Sequence, residues 1–216
     1  MNHWLVAPIV LPAILAPLMV LWMRHDLPLQ RVVSVAGTVL LCAVAGGLLA
    51  MSADTPPGVY RLGPWPAPFG IGRVLDRLAA LMVALTAFLA LMVLLYVIGT
   101  GWDRRGHHFH PLFQFQLMGL CGAFLTGDAF NLFVFFEVLL IASYGLMIHG
   151  GGRTRLRAGV QYVAFNLLGS TLFLFGLATI YGVTGTLNMA DPGGKVATLP
   201  ESEAALVRVA GVILLA

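Results

Sequence analysis

The stretch LFQFQLMGLCGAFLTGDAFNLFVFFEVLLIASYGLMI, residues 112–148, is apolar except for a few polar side chains and two acids, Asp128 and Glu137. As one helix it would be roughly 55 Å long at 1.5 Å per residue, far longer than a hydrocarbon core of about 30 Å. The stretch must therefore turn, and we expect the turn at Gly127-Asp128-Ala129, because glycine permits a sharp bend and aspartate caps a helix start. The sequence predicts two antiparallel membrane helices joined there.

The remainder of the 216-residue chain has the same character, since 59% of all residues are hydrophobic and 10% are charged. A soluble domain is typically about 45–50% apolar and about 25% charged. The apolar residues also come in blocks of about twenty, the length that crosses a bilayer. We therefore predict an all-α polytopic transmembrane helical bundle that forms a single transmembrane domain over residues 1–216. The expected spans are six complete ones and a truncated seventh, at 4–23, 31–51, 77–99, 112–126, 129–148, 161–182 and from about 205.

The short connections between the blocks indicate the orientation in the membrane. Seven arginines fall on one side of the predicted bundle: Arg24, Arg31, Arg104, Arg105, Arg153, Arg155 and Arg157. On the other side, basic and acidic residues are mixed, and the connection 54–73 is rich in proline and glycine. We expect it to form an ordered external loop with Trp65 and Phe69 near the interface. The positive-inside rule places the N-terminus outside, and in a bacterium the protein would lie in the inner membrane.

Several function classes are disfavoured. A formal net charge of +3, with arginines in short connections rather than between aromatic residues, is not typical of nucleic-acid binding. The sequence has no phosphate-binding glycine loop and no CxxC motif, and Cys42 and Cys121 lie inside apolar blocks. His107, His108 and His110 form a cluster without a cysteine or carboxylate at ligand spacing, so we interpret it as a solvated turn. We expect no metal, no cofactor and no ordinary enzymatic activity.

Glu137 is the residue that most needs an explanation. It follows the expected turn by nine residues, about 13 Å along a helix, which places it near the middle of the bilayer. No other acid lies well inside a predicted span. An ionised carboxylate at that depth costs about 2.5–3.5 kcal/mol on insertion scales, so it needs a partner, a water-filled cavity or a function. We interpret Glu137 as a proton-carrying carboxylate; the alternative is a carboxyl group that only joins two helices.

Further polar residues are candidates for supporting this site. Tyr144 lies two helical turns after Glu137 on the same face, where it could hydrogen-bond the site or anchor the helix at the interface. Gln161, Asn166 and Ser170, in the sixth predicted span, could hold water beside the carboxyl group. Hydrogen bonds between packed helices are the alternative role for these three side chains.

Three motifs stand in a fixed order along the chain: GPWPAPFGI at 63–71, GAFLTGDAFNLFVFFEVLLIASYGL at 122–146 and TGTLNMAD at 184–191. Through them the chain resembles the D-type subunit of the Mrp-type multisubunit monovalent cation/proton antiporters, from the first span to about Ala190. That family is itself similar to the antiporter-like subunits of respiratory complex I, the NADH:quinone oxidoreductase, and of membrane-bound hydrogenases. The resemblance implies a membrane subunit of a Na⁺(K⁺)/H⁺ antiporter. Its expected partners are the other subunits of the complex, the lipid bilayer, H⁺ and Na⁺ or K⁺, and no nucleic acid.

In this family the glutamate that matches Glu137 works with a lysine of the seventh helix, within a five-helix unit that is repeated in inverted orientation. The only lysine here is Lys195, in an expected external loop, and the second repeat is absent from the sequence. We therefore interpret the chain as the N-terminal portion of an antiporter-like subunit. Two other functions stay open: a proton-pumping membrane subunit of a complex I-like or hydrogenase-type redox complex, and a truncated scaffold that does not transport.

Overall fold

The structure is a computed structural model in which residues 3–54, 58–61, 72–190 and 199–215 are described. These residues form seven α-helices and one short antiparallel hairpin. The helices are α1 (Ala7–Trp22), α2 (Leu27–Asp54), α3 (Arg77–Thr100), α4 (Phe109–Phe124), α5 (Ala129–Met147), α6 (Arg153–Thr184) and α7 (Glu201–Leu215). The strands are β1 (Gly58–Arg61) and β2 (Gly72–Leu75). The predicted all-α transmembrane bundle is confirmed.

Five of the described helices are long and apolar enough to cross a membrane: α1 with the 3-10 turn before it, α2, α3, α5 and α6. By contrast, α4 has 16 residues and α7 has 15, so neither reaches that length alone. The main apolar core lies among α1, α2, α3 and α4. The chain is thus a multi-pass membrane protein. Hydropathy predicted six complete spans, whereas five of the described helices have full spanning length.

The turn predicted at Gly127-Asp128-Ala129 is confirmed, because α4 ends before it and α5 begins with its last residue. The Asp128 carboxylate accepts a hydrogen bond from the backbone N–H of Asn131 at 2.8 Å. The Asn131 side chain in turn donates from Nδ2 to Thr126 Oγ1 at 2.8 Å. The Asp128 contact satisfies one of the N–H groups that the first turn of a helix leaves without backbone partners, and the Asn131 contact ties this turn to Thr126.

The sixth helix begins earlier than hydropathy suggested. It starts at Arg153, whereas the predicted span started at 161, so arginines that we expected in a connection occupy its first turns. The connection itself contains Gly150, Gly151 and Gly152, whose φ angles are +85°, +66° and +98°. Arginine is a good helix former, and its long stem lets the charge reach the interface while the helix continues. A hydropathy window registers the charge but not this propensity.

The proline- and glycine-rich connection contains a hairpin that we did not predict. Its two four-residue strands, β1 and β2, pair in an antiparallel register. Strands this short show too few residues for an alternating pattern to be recognised in the sequence. Trp65 and Phe69, which we expected at the interface, lie outside the described residues.

The hairpin and two other segments meet at one end of the bundle. The N–H of Val74 in β2 donates to the Leu125 carbonyl at 3.0 Å, and the N–H of Gly127 donates to the Gly72 carbonyl at 2.9 Å. On the other side of the same turn, the N–H of Met189 donates to the Gly127 carbonyl at 2.9 Å. The turn between α4 and α5 is therefore held between the hairpin and the segment after α6. The turn lies in the motif at 122–146, the segment after α6 lies in the motif at 184–191, and β2 directly follows the motif at 63–71.

Close packing of α5 on α4 decides which way Glu137 faces. A Cβ atom at Gly119 would lie 2.6 Å from Leu139 Cβ, and one at Gly122 would overlap the Phe135 ring. The two glycines of α4 therefore make room for side chains on one face of α5. Glu137 lies on a different face, which turns toward α6.

Candidate functional site

Glu137 borders a cavity of about 290 Å³ between α5 and α6. Most of its lining is aromatic or apolar: Phe133, Phe136, Leu140, Phe165, Gly169 and Phe173. The rings hold one another in place, since those of Phe133 and Phe173 stack with centroids 6.0 Å apart and planes 14° apart. The polar lining residues besides Glu137 are Asn166 and Ser170. The carboxyl group thus faces a space large enough for several water molecules.

One oxygen of this carboxyl group lacks a hydrogen-bond partner among the residues that the structure describes. Oε1 of Glu137 is buried, and no hydrogen-bond donor among the described residues reaches it. An unsatisfied buried polar atom costs about 1–3 kcal/mol, and more when it is charged. A water molecule in the cavity would supply the missing hydrogen bond. The geometry therefore leaves Oε1 available for a proton or a water-mediated hydrogen bond.

Of the supporting residues named from the sequence, Asn166 and Ser170 line the Glu137 cavity, and Tyr144 and Gln161 do not. The Asn166 side chain also donates from Nδ2 to the Tyr162 carbonyl at 2.8 Å. Tyr144 packs edge-on against Tyr162, with ring centroids 5.7 Å apart. Gln161 is exposed on α6. Five residues correspond to a rotation of about 140° around a helix, so Gln161 and Asn166 cannot face the same cavity.

A second polar cluster lies at the end of the bundle that carries the arginine-rich connections. Asp103, in the 3-10 turn Trp102–Arg105, is fully buried. Arg31 of α2 donates to both of its carboxylate oxygens, at 2.6 and 2.8 Å, and His110 Nε2 lies 3.2 Å from Oδ2. Burial alone would raise the pKa of Asp103, but the hydrogen bonds and charges of Arg31 and His110 outweigh it, so this pKa lies below its ordinary value.

His110 corrects our interpretation of the histidine cluster as a solvated turn. His107 and His108 are exposed, but His110 is fully buried as the second residue of α4. Gln114 is buried one turn later and donates from Nε2 to Ser34 Oγ at 3.2 Å. The four-residue spacing of these two polar side chains at the start of an apolar helix was the signal that could have revealed a shared buried face. Within the described ranges, no group of three or more His, Cys, Asp or Glu residues is arranged to hold a metal ion.

Comparison with known proteins connects this arrangement to a family. Residues 126–214 match the family model described as NADH:quinone oxidoreductase/Mrp antiporter, transmembrane. A protein of Rhizobium meliloti, named as the probable D-type subunit of a K(+)/H(+) antiporter, is 48% identical over 219 residues, which cover 99% of this chain and 40% of the relative. The D-type subunit of the Na(+)/H(+) antiporter of Bacillus subtilis is 39% identical over 216 residues, which cover 100% of this chain and 43% of the relative. Over almost its whole length, the chain is therefore similar to the D-type subunits of cation/proton antiporters.

Solved structures agree with this relationship. A chain of the Mrp complex from Dietzia sp. DQ12-45-1b matches this protein with a TM-score of 0.86 at 32% identity, over 100% of this chain and 40% of that one. A chain of the membrane-bound sulfane sulfur reductase, an archaeal respiratory membrane complex, matches with a TM-score of 0.88 at 27% identity, over 99% of this chain and 44% of that one. The chain spans about two fifths of the length of the curated relatives it matches.

Proposed function

We propose that this protein acts in a multisubunit Na⁺(K⁺)/H⁺ antiporter and that Glu137 carries the proton. The observation that carries the proposal is the Glu137 carboxyl group, which faces the α5–α6 cavity with one buried oxygen unpartnered among the described residues. Relatives named as cation/proton antiporter subunits support the class of ion. In this proposal the protein is part of a secondary transporter and not an enzyme.

The position of Glu137 suits a proton carrier. It lies nine residues after the Asp128 cap, about 13 Å along α5, which in this proposal is near the centre of the bilayer. In that environment the carboxyl group is stable as a neutral acid or as an anion solvated by water in the cavity. Asn166 and Ser170 are placed to hold such water. Exchange between the neutral and the solvated ionised state is then the step that moves a proton.

The proposal also includes the orientation of the protein, its membrane and its partners. Arg31 binds Asp103, and Arg155 stacks on Trp102, so these arginine-bearing segments lie at one end of the bundle. We assign this end to the cytoplasm, with the N-terminus outside and the protein in the inner membrane of a bacterium. Its partners are then the other antiporter subunits, the lipid bilayer, H⁺ and Na⁺ or K⁺.

A proton-pumping subunit of a redox complex is the second candidate. The observation that favours it is the match to a chain of an archaeal respiratory membrane complex. Glu137 would carry a proton in both cases, but the energy would come from electron transfer instead of a cation gradient. Neighbouring genes separate the two candidates, because small Mrp-like membrane subunits favour antiport and quinone- or nucleotide-binding subunits favour redox pumping.

The test of the proton-carrying role is Glu137→Gln in the full-length protein within its assembled complex. Glutamine keeps the size of the side chain but cannot bind and release a proton. In everted membrane vesicles with an imposed pH gradient, we expect the proton flux driven by added Na⁺ or K⁺ to fall to the level of vesicles without the complex. A pH-sensitive dye inside the vesicles measures this flux.

Glu203→Gln is the matched control, because Glu203 is an exposed glutamate in the first turn of α7. This variant should transport like the wild type at equal abundance of the assembled complex. Wild-type flux in the Glu137→Gln vesicles would refute the proton-carrying role. If neither cation drives proton flux in the wild type but an electron donor does, the redox candidate replaces antiport.

A further inference from the structure

Two arginines from different segments of the chain stack on one tryptophan at the arginine-rich end of the bundle. The guanidinium carbon of Arg105 lies 4.3 Å from the centroid of the Trp102 ring, and that of Arg155 lies 4.5 Å from it. Trp102 and Arg105 belong to the turn between α3 and α4, whereas Arg155 belongs to the first turn of α6. Cation–π attraction stabilises each guanidinium group on the ring. Two positive charges are thereby held at defined places on a single aromatic side chain.

The backbone around the stack also holds these side chains in place. Arg155 donates from Nη1 to the His149 carbonyl at 2.7 Å, and His149 Nε2 lies 3.2 Å from the Trp102 carbonyl oxygen. A Cβ atom at Gly150 would lie 2.6 Å from Arg155 Nη1 and 3.5 Å from Arg105 Cδ. Both arginine side chains therefore run past the same glycine. No other hydrogen bond of either guanidinium group is found among the described residues, so most of their N–H donors stay available.

No acidic side chain in the described part of the chain balances this charge. Asp103, the nearest acid in sequence, is already bound to Arg31 and His110. Three more exposed arginines lie within two residues of the stacked pair in the sequence: Arg104, Arg153 and Arg157. The first turn of α6 contains no acidic residue, and its cap residue makes no side-chain hydrogen bond to it. Since a helix N-terminus carries about half a positive charge, arginines there repel it, and an anion would relieve this repulsion.

An apolar groove begins directly beside the charged cluster. It has a volume of about 430 Å³ and runs between α5 and α6. Its lining includes Ile148, which precedes His149, and Leu156, which follows Arg155. Val160 and Val163 continue the lining along α6, away from the arginines. A ligand that fits both features has an anionic head and a hydrocarbon chain.

We propose that Trp102, Arg105 and Arg155 bind the phosphate of an anionic phospholipid, one acyl chain of which lies in the groove between α5 and α6. Guanidinium groups bind phosphate oxygens through paired N–H donors, and tryptophan is typical of the headgroup level of a membrane. A soluble phosphate ion would satisfy the arginines but would leave the groove empty. Each arginine near an anionic membrane surface strengthens binding roughly fivefold.

The test counts the lipids that remain on the protein. The complex containing the full-length protein is reconstituted in vesicles of phosphatidylcholine and phosphatidylglycerol with identical acyl chains, then extracted in mild detergent and examined by native mass spectrometry. We expect phosphatidylglycerol to be retained at least about fivefold above its share of the vesicle lipid. In the variant Arg105→Gln/Arg155→Gln, the ratio should fall to that share. The variant Arg24→Gln/Arg208→Gln removes the same charge from exposed arginines elsewhere and should retain the wild-type ratio.

Two further variants separate lipid binding from misfolding and from simple charge attraction. Arg105→Lys/Arg155→Lys keeps both charges and should retain part of the phosphatidylglycerol preference. Val160→Trp fills the groove and should reduce retention although every arginine is present. The proposal is overturned if the glutamine pair keeps the full preference, if Val160→Trp has no effect, or if millimolar inorganic phosphate displaces the lipid. Retention of an acidic protein partner by these arginines, in place of lipid, would overturn it as well.

Discussion

Replacement of Asp103 with asparagine should destabilise the protein by removing its ion pair with Arg31 while leaving the shape of the side chain almost unchanged. Asp103 is fully buried and accepts hydrogen bonds from Arg31 at 2.6 and 2.8 Å. Removing one partner of a buried ion pair typically costs about 3–5 kcal/mol. Because the Arg31 side chain is 20% exposed, water screens the charge that is left behind. We therefore expect a smaller loss, about 2–3 kcal/mol of unfolding free energy.

A double-mutant cycle isolates the energy of this pair. Asp103→Asn and Arg31→Gln should each cost about 2–3 kcal/mol, and the double variant should cost little more than either, because the second substitution removes a group that has already lost its partner. Unfolding by SDS in mixed micelles, followed by circular dichroism, measures all four proteins. Arg104→Gln, an exposed neighbour, is the control and should stay within about 0.5 kcal/mol of wild type. If the two losses simply add, Arg31 and Asp103 do not stabilise one another and the reasoning is refuted.

Further predictions concern pH, packing, capping and the cavity. Because the pKa of Asp103 is lowered in the folded state, its contribution to the free energy of unfolding is complete above about pH 4 and is lost as the pH falls further. The wild type and Asp103→Asn should therefore differ in unfolding temperature at neutral pH and converge only in that acid range. Gly122→Ala places a methyl group against an aromatic ring of α5 and should lower the free energy of unfolding by about 1–3 kcal/mol. Gly47→Ala, in α2, meets open space and should raise it by up to about 1 kcal/mol. Unfolding in SDS measures both changes. Asp128→Ala removes the α5 cap and should cost about 0.5–2 kcal/mol in the same assay, and no loss would contradict the capping role. Asn166→Leu reduces the space for water beside the proposed proton carrier and should lower cation-driven proton flux in vesicles without lowering the amount of complex; unchanged flux would count against the role of the cavity.

Features that depend on a short run of residues were predictable from the sequence. The turn between α4 and α5 follows from the length of one apolar block and from a glycine next to an aspartate, and the Asp128 cap lies where that reasoning placed it. Glu137 stood out for a similar reason, because a carboxyl group inside an apolar helix is costly wherever the helix packs. The start of α6 was not predictable from hydropathy, because the arginines at its N-terminal end lower the hydropathy although arginine is a good helix former.

Features that depend on two distant segments required the tertiary structure. Arg31 and Asp103 are 72 residues apart, and nothing in either local sequence shows that they form a pair. His110 looks like its two exposed neighbours in the sequence, and only the packed bundle shows that it is buried beside Asp103. Composition also could not show that Arg105, in the turn between α3 and α4, and Arg155, in α6, share the Trp102 ring.

The amino-acid sequence is sufficient to specify a multi-pass helical membrane protein with one costly acid in its fifth helix, because hydrophobic length and side-chain charge are local properties. Only the packed bundle decides which polar side chains join that acid. Small residues such as Gly119 and Gly122 set how closely α4 and α5 approach, and this contact leaves Glu137 on the side of α6. Rotation of α6 about its own axis then brings Asn166 to the cavity and leaves Gln161 outside it. That rotation arises from contacts along the whole length of the helices, which no short window of sequence contains.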